Sequence, residues 1–502
     1  MEKNLYSDSE QGKIAAARPG LRPAFSARVS EAMGGLGTGH LLAILAASAV
    51  LALVLALSPK IFLAIVLTLF VIVMTLISPF AGLLIVLSFI FLRPAERFPA
   101  LSALHFARAQ AVLTIGIWLL YRHLRRKSGL VHHSIATTFA AGALVIGISA
   151  ATALWRNPAF LLLADYLFSL LILVATVDLL DSESRLRGYV VVLLLVATWL
   201  SVEQLLGYGT TRFTKGVVRS GGLGTALGDT NEFALAMLFF LPFAFYTALS
   251  ASNRAARWGA GGLSLLLVAS IVATGSRGAV IGFLALVIAL WAKSRHKLLV
   301  GLGLVALLVA IWCFSSPSYK QRVASILTYQ QEITATVRRE AWKAGMRMFI
   351  KRPLFGVGAN NFPVAYDTAG FGSPSGGKWV AAHSVYVQTL AELGILGFAW
   401  LVGLIALIFS ATHKAQHRLQ ERAPPRGFFW IAANAAPVSL ITYLAAGAFL
   451  SCLYYPYLWI LGGLAIVLEI GTRGLVVSQE IPAQAAQVEQ HGPPMLPAPR
   501  VG

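Results

Sequence analysis

Apolar stretches of membrane-spanning length recur along the chain, parted by short polar gaps. They fall near 40–57, 61–77, 79–92, 109–121, 134–155, 158–179, 189–206, 232–250, 259–273, 279–292, 297–315, 385–410, 428–450 and 456–472. A helix of about 20 apolar residues crosses the ~30 Å hydrocarbon core. The pattern therefore predicts an all-α polytopic membrane protein with about 12–14 transmembrane helices. Several runs are short, which leaves open tight hairpins or re-entrant pairs over 61–92 or 259–292. The gap 316–384 is too long for a simple connection and carries helical spacing of its own. The predicted order is a basic cytoplasmic tail over 1–36, transmembrane helices over 37–315, and a large periplasmic loop with amphipathic helices over 316–384. C-terminal transmembrane helices over 385–473 follow, then a Pro- and Gln-rich disordered cytoplasmic tail over 474–502. The first 36 residues lack the early apolar stretch of a signal peptide, so that tail is expected to be retained.

Composition agrees. Hydrophobic residues make up 57% and charged residues 12% of the 502, with a mean hydropathy of +0.75, against about 25% charged in a soluble chain. A soluble enzyme, a disordered protein and a nucleic-acid-binding domain are excluded. The net charge of +20, from 40 Lys+Arg against 20 Asp+Glu, would suggest nucleic acid in a soluble chain. In this chain the basic residues sit in the gaps between apolar runs, where they read as topology or as contacts to an anionic, lipid-linked ligand. Cys313 and Cys452 make neither a metal spacing nor a disulfide framework, though one bridge stays open.

Charge also sets the orientation. With the N-terminus inside, the short inner gaps 122–127, 182–188, 251–258, 293–297 and 411–427 hold fifteen Lys/Arg. The short outer gaps hold nine over more residues. Both termini are then cytoplasmic. The gap 206–230, the TGSRG corner at 274–278 and the long loop all fall on the outer face.

In the long loop, VRREAWKAGMRMFIKRP (337–353) has helical spacing and stops at Pro353. Arg339, Lys343, Arg347 and Lys351 recur at i+4 as a basic stripe suited to lipid phosphates. Arg338 lies instead with Trp342, Gly345 and Phe349 on an apolar stripe. A guanidinium on a packing face needs an anion, and its fork suits a phosphate; the structural alternative is a bridge to Glu332 or Glu340. The following LFGVGANNF reads as a loop in which Gly356 and Gly358 allow a tight turn or close approach, and GFGSPSGGK (370–378) as a flexible flap. His383 sits where the loop becomes a membrane helix. A helix N-terminus and nearby arginines keep its ring neutral, so it can accept a proton or simply cap its helix. Glu392, about two and a half turns on, is costly at that depth unless paired. Arg277 interrupts the apolar stretch 259–292; it marks a functional site or a snorkelling corner. Arg212, Lys215 and Arg219 precede GGLGTALGDTNEFA, where Asp229 and Asn231 bind substrate or cap the next helix. Asp165 is a further acid in an apolar run without an evident partner. The sequence contains no Walker A motif, no zinc spacing, no serine nucleophile elbow and no acid cluster on the outer face. No metal and no cofactor are expected: arginines and one histidine would handle an anion.

Four patches in order, GDTNEFALAMLFFLP (228–242), TGSRGAVIGF (274–283), RREAWKAGMRMFIKRPLFGVGANNF (338–362) and HSVYVQTLAELGILG (383–397), resemble the O-antigen ligase superfamily, which includes the O-antigen polymerases and protein O-oligosaccharyltransferases. The resemblance covers roughly 206–410. It implies a metal-independent inverting glycosyltransferase of the bacterial inner membrane, acting at its periplasmic face in lipopolysaccharide or polysaccharide biosynthesis. The donor would be a glycan on undecaprenyl diphosphate, and the acceptor a hydroxyl of lipid A–core, of another lipid-linked glycan or of a protein. Carried over by motif, Arg277 and Arg338 grip the diphosphate and His383 is the general base or positions the acceptor. Arg339, Arg219, Asp229, Asn231 and Glu392 are expected to bind substrate. A polymerase of the same superfamily is the alternative. A lipid-linked glycan transporter would need polar residues along a path through the helices, and the first half holds few; an assembly partner would not need Arg277, Arg338 and His383 together.

Overall fold

The computed structural model describes residues 59–97, 106–126, 129, 132–207, 211–214, 217–220, 227–324, 333–372, 379–420 and 427–473. Packing divides the chain into Met1–Val73 and Met74–Gly502. Every apolar run from residue 61 onward falls on a helix, while 40–57 and both predicted tails lie outside the described residues. The helices are α1 Pro59–Ile77, α2 Pro79–Leu92, α3 Phe106–Leu124, α4 Ser134–Ala151, α5 Arg156–Leu179, α6 Glu183–Leu205, α7 Thr230–Ser250, α8 Arg254–Ala273, α9 Arg277–Lys293 and α10 Lys297–Phe314. After them come α11 Pro317–Ala324, α12 Ile333–Lys351, α13 Phe362–Asp367, α14 Val385–Gln420 and α15 Phe428–Gly447, then α16 over 457–473. Eight described helices are long and apolar enough to cross a membrane. The chain is thus a polytopic all-α membrane protein.

Short polar residues start these helices by accepting an orphan N–H: Ser182 from Arg185 at 3.4 Å, Asn253 from Ala255 at 2.8 Å and Ser276 from Ala279 at 3.2 Å. Helix α7 forms the centre. It packs on α6, α8, α9 and α15, and 78% of its apolar window is buried. Close approach is achieved where Gly282 of α9 meets Leu238 of α7 and Ala446 of α15. A second group joins α4, α5, α14 and α16. There Trp400 Nε1 donates to the Thr138 carbonyl at 2.9 Å, and Gly462 admits Phe139. Helix α10 is the opposite of α7 and has no buried residue.

Charge gathers at the end of the bundle where α3, α5, α14 and α16 finish. Arg122 pairs with Asp178 at 2.8 Å, their side chains 11% and 12% exposed, and Trp118 Nε1 donates to the same carboxylate at 2.9 Å. Glu469 receives Arg473 at 2.5 Å, Lys414 at 3.5 Å and His133 at 3.3 Å.

Two readings of the sequence change. Asp165 is not an isolated buried acid: it is 48% exposed and pairs with Arg108 at 3.0 Å. The polar gap 206–230 contains an antiparallel hairpin, β1 Thr211–Thr214 with β2 Val217–Ser220, in which Arg212 is registered opposite Arg219.

Candidate active site

The four sequence patches meet at the end of the bundle opposite the Glu469 cluster. Asp229 caps α7, accepting the amides of Asn231 at 2.8 Å and Glu232 at 3.4 Å. Its partner Asn231 then accepts the Ser276 hydroxyl at 2.8 Å, which ties the GDTNEF patch to the TGSRG corner. That corner is built locally. Gly275 turns with φ 57°, Thr274 Oγ1 accepts the Ser276 amide at 3.2 Å, and Ser276 caps α9. Arg277 is consequently the first residue of α9 and half-buried. A cation there opposes the helix dipole, whereas an anion would be held by the guanidinium and the helix terminus together.

The basic stripe of helix α12 is exposed as its spacing predicts, whereas of the apolar stripe Gly345 is buried and Trp342 and Phe349 are half-buried. Ala341, Ala344, Gly345 and Met348 are buried, while Arg339, Lys343, Arg347 and Ile350 are exposed. Arg338 is half-buried on the inner side. Neither expected bridge explains it: Glu340 pairs with Lys343 at 3.0 Å, Glu332 lies outside the described residues, and no ion-pair partner of Arg338 occurs among the described residues. One turn on, Trp342 lies tilted against Phe449 with ring centroids 6.3 Å apart, and its buried Nε1 has no hydrogen-bond partner among the described residues. Phe449 also abuts Gly278, so it joins the Arg338 helix to the Arg277 helix.

After Pro353 the chain runs as a loop with defined partners, buried over 356–359. The amides of Val357 and Gly358 donate to the carbonyls of Ala391 at 2.9 Å and Glu392 at 3.2 Å. Arg352 Nη1 donates to the Thr152 carbonyl at 2.8 Å, and Asn361 accepts the Trp155 amide at 2.7 Å. This approach needs glycine on both sides. Gly356 has φ 69° and Gly394 φ 66°; a Cβ on the first would sit 2.3 Å from the Glu392 carbonyl carbon, and one on the second 2.5 Å from that of Leu354. Gly394 also breaks α14, and the freed Ile395 amide donates to the Pro353 carbonyl at 2.8 Å.

His383 precedes α14 with φ 50°, a left-handed bend that few residues other than glycine adopt. Its amide donates to Ser451 Oγ at 2.8 Å. Burial and the Arg338 guanidinium hold the imidazole below its usual value, with the Asp229 carboxylate acting in the opposite sense. Those influences put His383 within electrostatic reach of both Arg338 and Asp229. The ring is neutral near pH 7, as its sequence position leads one to expect.

The remaining candidates have local roles. Glu392 is 1% exposed and accepts from the amides of Asn360 and Phe362 at 3.1 Å each and from the Tyr454 hydroxyl at 2.8 Å. Arg339 is exposed and reaches Thr336 at 3.4 Å. Arg219 has its backbone in β2, and its side chain lies outside the described residues. The flap 370–378 is described only to residue 372. Sequence reasoning missed Ser451 and Tyr454, for which the polar break SCLYYP between two apolar runs was the available signal, and the role of Ser276 inside the TGSRG patch.

A family model described as O-Antigen ligase matches residues 262–402. No curated protein matches the chain. A solved structure reported as "Structural coordination of polymerization and crosslinking by a peptidoglycan synthase complex" is similar at 20% identity and a TM-score of 0.37, covering 68% of this chain and 96% of that one. So loose a likeness carries neither fold nor chemistry across. Residues 262–402, the stretch that holds Arg277, Arg338 and His383, are thus similar to the O-antigen ligase family.

Proposed function

We propose that this protein is an O-antigen ligase-like glycosyltransferase that moves a glycan from undecaprenyl diphosphate to an acceptor hydroxyl at the periplasmic face of the bacterial inner membrane. The observation that carries the reading is Arg338: a half-buried guanidinium without an ion-pair partner among the described residues, within electrostatic reach of a histidine whose neutral form is favoured. Such a cation is costly without an anion, and a diphosphate is an anion that fits its fork. The match over 262–402 supports the same class of chemistry.

In this reading Arg277, Arg338 and the amino end of α9 hold the donor diphosphate. The acceptor oxygen attacks the anomeric carbon from the opposite side. The new C–O bond forms as the bond to the phosphate oxygen breaks, and the electron pair leaves with the diphosphate, which inverts the configuration. His383 takes the acceptor proton. The charge that grows on the leaving group falls on fixed guanidinium groups, a form of stabilisation whose loss costs about 10²–10³ in rate; the reading requires no metal. Helices α7 and α9, joined by Asn231 and Ser276, keep Arg277 in register with Asp229.

The experiment is transfer from purified undecaprenyl-diphosphate-linked glycan to candidate acceptors in nanodiscs. Arg277→Ala and Arg338→Ala should each lower the rate by about 10²–10³, and His383→Ala by about 10²–10⁴, in protein that folds. Wild-type rates from Arg338→Ala or His383→Ala refute the roles assigned to those two side chains. Movement of the lipid across vesicles without glycan transfer refutes the transferase reading.

A further inference from the structure

The connection 451–456 between α15 and α16 has no part in the chemistry above, yet it grips the start of α14 at three successive levels. The His383 amide donates to Ser451 Oγ at 2.8 Å. The Leu453 amide donates to Gln388 Oε1 at 3.3 Å. The Tyr454 hydroxyl donates to Glu392 Oε2 at 2.8 Å. Gln388 and Glu392 are four residues apart and therefore share a face of α14. The connection is itself anchored, because Tyr443 of α15 donates its hydroxyl to the Cys452 carbonyl at 3.0 Å.

The grip reaches both reacting partners. On one side it ends at His383, whose left-handed bend (φ 50°) is a conformation that persists only where surrounding contacts enforce it. On the other it passes through Glu392 to the amides of Asn360 and Phe362, in the loop that follows α12 and Arg338. A change of bend at residue 383 would swing the imidazole away from Arg338 without touching any other side chain of the site.

We propose that the corner 451–454 is a positioning frame, in which Ser451 holds the His383 backbone in its bend while Tyr454 and Glu392 fix the register of the Arg338 helix against it. Ser451 is a positioning residue: it acts through His383 and contacts no substrate. The proposal rests on the transferase reading for its kinetic part alone.

The test compares wild type, Ser451→Ala and Ser451→Thr, which keeps a hydroxyl acceptor. A catalytic group misplaced by about 1 Å costs on the order of 10² in rate, so Ser451→Ala should lower kcat roughly 10- to 100-fold and leave the donor KM within about twofold. Ser451→Thr should restore the rate. A wild-type kcat in Ser451→Ala, or a loss that Ser451→Thr does not repair, overturns the frame. A substrate-free measurement separates this from the transferase reading. In protein labelled at histidine Cε1, NMR titration follows His383, which lies within electrostatic reach of Arg338 of α12 and Asp229 at the start of α7. Ser451→Ala should shift its pKa upward toward the ordinary imidazole value as the ring leaves Arg338 and its buried setting, and Ser451→Thr should not. An unshifted titration in Ser451→Ala overturns the frame. A shifted titration in Ser451→Ala, where the wild type itself transfers no glycan, upholds the frame and overturns the transferase reading.

Discussion

Glu392 offers the sharpest separation of a structural role from a substrate contact. Its carboxylate is surrounded by donors: Phe362 N–H at 3.1 Å on Oε1, and Asn360 N–H at 3.1 Å, Tyr454 O–H at 2.8 Å and Gln388 Nε2 at 3.4 Å on Oε2. Replacing it with alanine strands them unequally. Tyr454 and Gln388 can rotate toward other partners, but a backbone amide cannot. The Phe362 amide belongs to a residue only 1% exposed, and a buried donor left unpaired costs about 1–3 kcal/mol. The Asn360 amide, at an exposed residue, recovers part of its loss from water. Glu392→Ala should therefore destabilise by about 2–4 kcal/mol, and Glu392→Gln, which keeps an oxygen for one amide, by about half of that. Thermal unfolding in nanodiscs should rank wild type above Gln above Ala. Transfer should fall at least as far as the folded fraction, since Glu392 also fixes the register of the Arg338 helix, while the donor KM stays constant. The reasoning fails if Glu392→Ala melts with wild type. It also fails if Glu392→Gln melts with wild type but raises the donor KM, because the carboxylate would then be a substrate ligand, as its depth in the sequence suggests.

Other outcomes follow from the same geometry. His383 works as a base only when unprotonated and its pKa in the substrate-free protein is lowered from the usual 6.5, so kcat/KM should fall as pH drops, with an acid midpoint below 6.5; a midpoint above that value contradicts the burial beside Arg338. Gly394→Ala sets a Cβ 2.5 Å from the Leu354 carbonyl carbon at φ 66°, a strain of at least about 1–3 kcal/mol; folded yield should collapse, and a wild-type melting curve contradicts the packing described. Asp178→Ala leaves Arg122 without its carboxylate in a largely buried setting and should cost about 3–5 kcal/mol, read as a lower melting temperature; an unchanged melting temperature means that the arginine is solvated.

The helices were legible because a segment in lipid must satisfy its own backbone and stay apolar over its full length, and that requirement writes itself into twenty consecutive residues. Arg277, Arg338 and His383 stood out for the converse reason, since a polar group beside such segments is costly. The basic stripe of α12 was readable from spacing alone. What escaped depends on residues far apart in the chain. Asp165 meets Arg108 across 57 positions, and the Tyr454 hydroxyl meets Glu392 across 62. No local pattern encodes either pairing. The hairpin at 211–220 was missed because four-residue strands offer too few alternations to count.

Helix α10 invites a different kind of thought. A span with no buried residue sets only Leu304, Leu307, Leu308 and Ile311 against the core, so its outward letters are interchangeable so long as they remain greasy and equally many. Natural drift should run fastest there, and an engineer wishing to graft a reporter or trim the molecule would start at that helix, leaving the crowded interior around α7 alone.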